Sequence, residues 1–422
     1  MIPARHEKRI KLFIASPLIY PPRGGAERRF WRYLPGLRKR SLDISIVSGT
    51  PKAKKLTEED KRSDWYRYMP GQTIPVPPVQ GTTVHQIRLP DKKGWHRTSI
   101  FFKYLLKLCR EESIQPHVIQ LLTPLPWQAL PWLIRLRHLN IGLIYSITLA
   151  PRRPGSVWAI VKRGLFQKLL FAQLDRLIVS SEVIADLVRG SIDERRIAII
   201  PNGVNIDRFK PATPEQKFKI RRELGFNPDS EIILNVGAIH PRKRPELLLE
   251  AWHLVATKRP KADLVFVGPR HDQIDPGLKS YAAELASLIR QSPYRERIHF
   301  VGQVDRVEQY YALADLFVFT SKKEGMPNAV LEAMASGLPV ILTPFIGLSK
   351  NFGVENKHYL LSKPTYEAIA ANIINLLTNQ ERAGQLGSRA RHLMKKNLNI
   401  KHILNKYADI YKKTAIQKGI VL

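Results

Sequence analysis

Two carboxylates bracket a Gly-Met-Pro-Asn turn in KKEGMPNAVLEAMASGLPV, residues Lys322 to Val340: Glu324 stands just before it and Glu332 eight places later. The preceding run ADLFVFTS (314–321) reads as a buried strand, and a helix is expected to open at about Pro327. Proline suits the first helical turn because its missing N–H would be unpaired there anyway. The free amides of the residues after Pro327 then form, with the helix dipole, a site for an anion such as a pyrophosphate, so that Gly325, Met326, Pro327 and Asn328 are candidates for binding it. Repulsion keeps a carboxylate off the phosphate itself, yet Glu324 can accept hydrogen bonds from sugar hydroxyls. Glu332 lies about one turn into the helix, where side chains tilt back toward the N-terminus, and can reach a ribose diol. Two acids around one phosphate cradle suit a nucleotide-diphosphate sugar. The competing reading makes Glu324 a helix cap and Glu332 a solvated face residue.

The elements that must position these groups alternate in type. Apolar runs at 11–17, 42–49, 141–149, 174–181 and 196–201 read as strands, with helical patterns near 25–40, 98–112, 126–139, 157–172 and 181–190. A second series of strands follows at 231–238, 262–269, 296–303, 314–321 and 338–344. Its helices fall near 245–258, 277–290, 306–313, 327–336, 366–378 and 380–395. Such alternation predicts α/β architecture: two Rossmann-like parallel-sheet domains facing a cleft, with ligands beyond the carboxyl ends of the strands. The Asn202-Gly203 turn marks the hinge. The expected domains are 1–200 and 201–399, with a C-terminal helix at about 400–422 packing back on the first. Residues 51–96, rich in Pro, Lys and aromatics, interrupt the rhythm and read as a long loop, either a surface for an acceptor or membrane or a mobile insertion.

EGMPNAVLEAMASGLPV closely resembles the E-X7-E signature of the retaining family 4 glycosyltransferases of the GT-B fold, and the similarity extends over most of the chain. PPRGGAE (21–27) is similar to the Gly-Gly loop after the family's first strand. DRLIVSSEVIADLV with RRIAIIPNGVNIDRFKP resembles the entry to the second domain, VGAIHPRKRPELLLEAW the donor-phosphate strand and helix, and HFVGQVDRVEQYYALADLFVFTSKKEG the run before the signature. The resemblance implies that Glu324 contacts the donor sugar, Glu332 the ribose and Lys243 the pyrophosphate. A preorganised cation there would stabilise charge developing on the leaving diphosphate. Gly24 and Gly25 let the backbone approach a ligand, or form a plain turn after Pro21-Pro22. Family members generally need no metal or other cofactor. The sequence is consistent with this, having no DXD motif in a plausible place and no Cys/His cluster with ligand spacing.

Two positions depart from the family pattern. Ala238 stands where an arginine usually follows the VG glycine, and Arg242 or Arg244 can supply that charge. Thr148 stands where the family often has a histidine at the end of the fourth strand. Threonine can hydrogen-bond a sugar but cannot hold a proton as imidazole does. Same-face transfer, in which the leaving-group oxygen helps deprotonate the acceptor, tolerates that loss. Arg152 and Arg153 follow Thr148 and are candidates for holding an anionic acceptor, or belong to a solvated loop.

The net charge is +32, and residues 1–200 carry 35 Lys/Arg against 15 Asp/Glu. Such an excess attracts polyanions. The segments 28–40, 96–111 and 157–171 mix cations with aromatic and aliphatic residues and suit an anionic membrane surface. Their apolar faces must also build a core. No zinc finger, RNA-recognition signature or basic zipper speaks for nucleic acid. The single cysteine, Cys109, excludes an internal disulfide and fits a reducing compartment. No run reaches the ~20 apolar residues that span a bilayer, so a cytoplasmic protein, peripheral on the membrane face, is expected. The expected activity is hexosyl transfer from a UDP-, GDP- or ADP-linked sugar to a glycan or lipid-linked acceptor. A non-catalytic nucleotide-sugar-binding relative and a sugar-nucleotide 2-epimerase are the alternatives.

Overall fold

The structure, a computed structural model, describes residues 9–20, 25–51, 68–91, 95–122, 125–147, 157–270 and 276–421. The chain divides into two compact units, Met1–Ile200 with Ile403–Leu422, and Pro201–His402.

The first unit is built on an eight-stranded sheet. Its strands are β1 (Ile10–Ser16), β2 (Leu42–Gly49), β3 (Thr73–Ile74), β4 (Thr83–Ile87), β5 (Val118–Leu122), β6 (Gly142–Ile147), β7 (Arg176–Val179) and β8 (Ile197–Ile199). They lie in the order β3-β4-β2-β1-β5-β6-β7-β8, and every pairing is parallel except β3 with β4. Three strands of this sheet correct the sequence expectation. β4 and the edge strand β3 fall inside the stretch read as a loop, whose residues 52–67 lie outside the described part. β5 went unread because Gln120 breaks its apolar run. Gln120 is nevertheless fully buried: its amide donates to Ser146 Oγ at 2.6 Å, and its oxygen accepts from the Tyr411 hydroxyl. Burial of a polar side chain is tolerated when its bonds are made. Tyr411 comes from the last helix, Ile400–Gln417, which packs Tyr407 edge-on against Phe30 and Tyr33 of the helix Gly25–Arg38.

The second unit carries six strands: β9 (Glu231–Val236), β10 (Ala262–Val267), β11 (Ile298–Gly302), β12 (Leu316–Phe319), β13 (Val340–Leu342) and β14 (Leu360–Leu361). All pairings are parallel, in the order β11-β10-β9-β12-β13-β14. β12 is wholly buried (Leu316, Phe317, Val318, Phe319), as a strand covered on both faces must be. Strand order reverses between β9 and β12, which pair directly. A crevice opens beyond the carboxyl ends of strands at such a switch point, because the connections leave toward opposite faces. The loops that follow β9 and β12 contain Lys243 and Glu324.

Candidate functional site

Both loops are pinned to each other before any charged group is considered. β9 ends at Val236, and Gly237 leads through a 3-10 turn, Pro241–Lys243, into the helix Pro245–Lys258. Proline at the first helical position fits. Arg244, before it, adopts a left-handed conformation (φ 51°, ψ 52°) that a non-glycine residue holds only at a cost. Its surroundings impose that conformation. The guanidinium donates to Thr320 O at 2.6 Å and Thr343 Oγ1 at 2.7 Å, and Thr320 Oγ1 donates to the Lys243 and Arg244 carbonyls at 2.8 and 2.9 Å. Lys322 N adds a bond to Arg242 O at 2.9 Å. Arg244 is therefore committed to main-chain and threonine oxygens. Of the two arginines considered as substitutes for the position held by Ala238, only Arg242 faces the acid.

Glu324 collects the charges. Its Oε1 accepts from Lys243 Nζ at 2.8 Å, from Ser321 Oγ at 2.7 Å and from Arg242 Nη1. Arg242 also reaches Lys323 O at 2.7 Å. Glu324 is 8% exposed, and the Lys243 side chain is 17% exposed. Burial pushes the Lys243 ammonium below the ordinary lysine range, and the neighbouring carboxylate pulls it part of the way back. Lys243 Nζ also lies 4.9 Å from the Phe319 ring centroid, a favourable place for a cation. One carboxylate with two cations leaves the cluster net positive.

The backbone of the Glu324 loop is fixed from the other side. Glu324 N donates to Ile346 O at 2.9 Å, and Ile346 N to Lys322 O at 3.0 Å. Gly347 follows at φ +107°, and a Cβ there would lie 1.9 Å from the Glu324 carbonyl oxygen. No other residue type fits that approach without displacing the loop.

The helix beyond the turn runs Asn328–Ala335, with Pro327 as its N-cap and no side chain capping it. It begins one residue later than expected, and Glu324 is not its cap. Val330 N and Leu331 N bond Pro327 O at 3.2 and 3.4 Å. The amides of Asn328 and Ala329 belong to the part of the first turn that has no intrahelical acceptor. Asn202 fixes this turn: its Nδ2 donates to Met326 O at 2.8 Å and Asn328 Oδ1 at 2.9 Å, and its N to Met326 S at 3.1 Å. The Met326 side chain is thus packed into the core, and its carbonyl is held by Asn202. Gly325 and Pro327 are buried beside it.

Glu332 is 6% exposed rather than on a solvated face, and its Oε2 accepts from the Tyr311 hydroxyl at 3.1 Å. The structure therefore gathers Arg242, Lys243 and Glu324 into one cluster, with the Gly325–Asn328 turn continuing from it and Glu332 on the helix that follows. Gly25 opens the helix Gly25–Arg38 in the other unit, while Gly24, Thr148, Arg152 and Arg153 lie outside the described residues. Sequence reading missed Ser321, Asn202, Tyr311 and Gly347. Ser321, three places before Glu324, was the most accessible from the motif. Among the described residues no group of three or more His, Cys, Asp or Glu is placed to hold a metal.

Two family models match the chain: "Glycosyl transferases group 1" over residues 216–393 and "Glycosyltransferase Family 4" over residues 23–208. A D-inositol 3-phosphate glycosyltransferase from Segniliparus rotundus is 26% identical over 74% of this chain and 71% of its own. An Escherichia coli UDP-Gal:alpha-D-GlcNAc-diphosphoundecaprenol alpha-1,3-galactosyltransferase is 26% identical over 54% of this chain and 57% of its own. A crystal structure of Anabaena HepE in complex with UDP superposes with a TM-score of 0.71 at 16% identity, covering 96% of this chain and all of that one.

Proposed function

The chain belongs to the family 4 glycosyltransferases of the GT-B fold, and from that premise we propose that it transfers a hexose from a nucleotide-diphosphate sugar to a glycan or lipid-linked acceptor, retaining the anomeric configuration. The observation that carries this reading is the convergence of Lys243, Arg242 and Ser321 on Glu324 where the strand order reverses. The donor diphosphate lies against the first turn of the helix Asn328–Ala335, with Lys243 and Arg242 beside it. As the bond from the anomeric carbon to the phosphate oxygen breaks, negative charge grows on the diphosphate. Preorganised cations and amides stabilise that charge more than the ground state. The acceptor oxygen bonds to the anomeric carbon on the face the phosphate leaves, and its proton passes to the departing phosphate oxygen. Glu324 accepts hydrogen bonds from the sugar, and Glu332 from the ribose. In this reading the protein's own cations meet the charge, and no metal takes part.

The test is to incubate the protein with UDP-, GDP- and ADP-hexoses, follow diphosphate release, and read the product's anomeric coupling by proton NMR. One donor is expected to be consumed with retention, and Glu324→Gln to slow its consumption by about 100-fold. An inverted product contradicts the same-face step. Donor binding without turnover marks a non-catalytic relative, and free UDP with an epimerised sugar marks an epimerase.

We further propose that the acceptor is met at an anionic membrane. Residues 113–174 contain seven Lys/Arg and no Asp or Glu. Within that stretch Leu165, Leu169, Trp127 and Ile134 are exposed, Trp127 packs on Phe166 at 6.0 Å, and Lys168 shares the helix with the two leucines. Exposed apolar side chains in a stretch of sequence that carries cations and no acids support a surface that lies on lipid. The lipid-linked acceptor named for the E. coli relative is consistent with it. Among the described residues no helix is long and apolar enough to cross a membrane.

A further inference from the structure

We propose that Tyr311 is a positioning residue for the donor nucleotide: its hydroxyl holds the Glu332 carboxylate in the orientation that accepts hydrogen bonds from the ribose diol. The inference rests on the reading of Glu332 above and adds a residue to it.

Tyr311 sits on the short helix Val307–Leu313 and is 1% exposed. Its ring packs edge-on against Phe209 (centroids 5.6 Å apart, 85°) and tilted against Phe317 of β12 (5.9 Å, 38°). Two aromatic contacts at these angles leave the ring little rotational freedom. The hydroxyl therefore arrives at a fixed point on the neighbouring helix, where it lies 3.2 Å from Ala329 O and 3.1 Å from Glu332 Oε2. Ala329 is in the first turn of the helix Asn328–Ala335, and Glu332 is one turn on. One phenol thus ties the helix mouth and the acid together.

Glu332 needs such a tie. A carboxylate buried to 6% exposure is costly unless hydrogen-bonded. A flexible glutamate would also lose side-chain freedom on gripping a ribose. The tie to Tyr311 removes part of that freedom beforehand. A carboxylate offers about four lone-pair sites, so accepting from Tyr311 is compatible with accepting from a diol. Glu332→Gln would put an amide where Tyr311 and the ribose both donate.

The experiment compares Kd for UDP, GDP and ADP with Kd for their 2′,3′-dideoxy counterparts, in wild type, Tyr311→Phe, Glu332→Ala and the double variant. Phenylalanine keeps the ring between Phe209 and Phe317 and removes only the hydroxyl. Because each preference is a ratio taken on one sample, partial unfolding cancels from it. Wild type is expected to prefer the ribose form, Tyr311→Phe to lose about three- to ten-fold of that preference, and the double variant to lose no more than Glu332→Ala alone. If wild type prefers the ribose form and Tyr311→Phe keeps the whole preference, or if the two single losses add, the positioning role is overturned while the donor site stands. If wild type shows no preference for the ribose form although a diphosphate binds, the assignment of Glu332 fails and takes this proposal with it.

Discussion

Lys243 illustrates how a residue identified by position acquires its chemistry from its surroundings. The sequence supplies a cation after the VG strand. The structure buries it, sets it over Phe319 and pairs it with Glu324, and burial lowers its pKa. The direction gives a pH prediction. On the proposed donor site, charged Lys243 holds the diphosphate and neutral Lys243 does not, so affinity is expected to be full below the lowered pKa and to decline as pH rises through it. The loss is expected to begin at lower pH than for an exposed lysine, whose pKa is about 10.4. A bound diphosphate favours the charged form, so binding in that window takes up a proton. Titration calorimetry in two buffers of different ionisation enthalpy reads that uptake. Affinity that stays constant until the ordinary lysine range would contradict the account. Glu332 was legible as an acid in the right helix, but its partner was not. Tyr311 lies 21 residues away in sequence, in a segment whose aromatic pattern signals only core.

Among the elements, most strand and helix identities in the second unit followed from buried runs such as ADLFVFTS and from Pro245 opening its helix, while β14 and the helix Pro214–Glu223 went unread. What remained hidden was how the loops meet. Arg244 looked like a spare cation for Ala238, but the left-handed turn and the carbonyls at the end of β12 take its guanidinium, a long-range contact that local sequence does not encode. Gly347 is a second case, since nothing in PFIGLS announces that its backbone lies against the Glu324 carbonyl. Gly347→Ala forces a side chain into the left-handed region and into that oxygen. We expect it to cost about 2 kcal/mol or more in stability and to weaken diphosphate binding, both readable in one thermal titration. Wild-type Tm and Kd for this variant would show that the loop is not held as described. In the first unit, β5 escaped sequence reading because Gln120 looks polar in isolation. It became intelligible only with Ser146 and Tyr411, the latter from the far end of the chain.

For the molecule as a whole, the two-unit division reflects separate apolar clusters, such as one in the first unit and two in the second, and neither unit is a mere appendage of the other. The basic excess was evident from composition, whereas the exposure of Leu165 and Leu169 on the helix Val157–Ala172 came from the structure. Vesicles containing phosphatidylglycerol are expected to sediment the protein at low salt. Binding should fall at about 1 M salt, where the Debye length shrinks to about 3 Å, and Leu165→Ser with Leu169→Ser should weaken it further. Equal binding to neutral vesicles, or none to anionic ones, would remove the membrane reading and leave the donor site untouched. That site is tested most directly by thermal unfolding of wild type and Lys243→Ala with UDP, GDP and ADP. At least one diphosphate is expected to raise the wild-type Tm, with the shift lost or much reduced in the variant. Folded wild-type protein that responds to none of the three, or a shift that Lys243→Ala leaves intact, would contradict a diphosphate site built on Lys243 and Glu324.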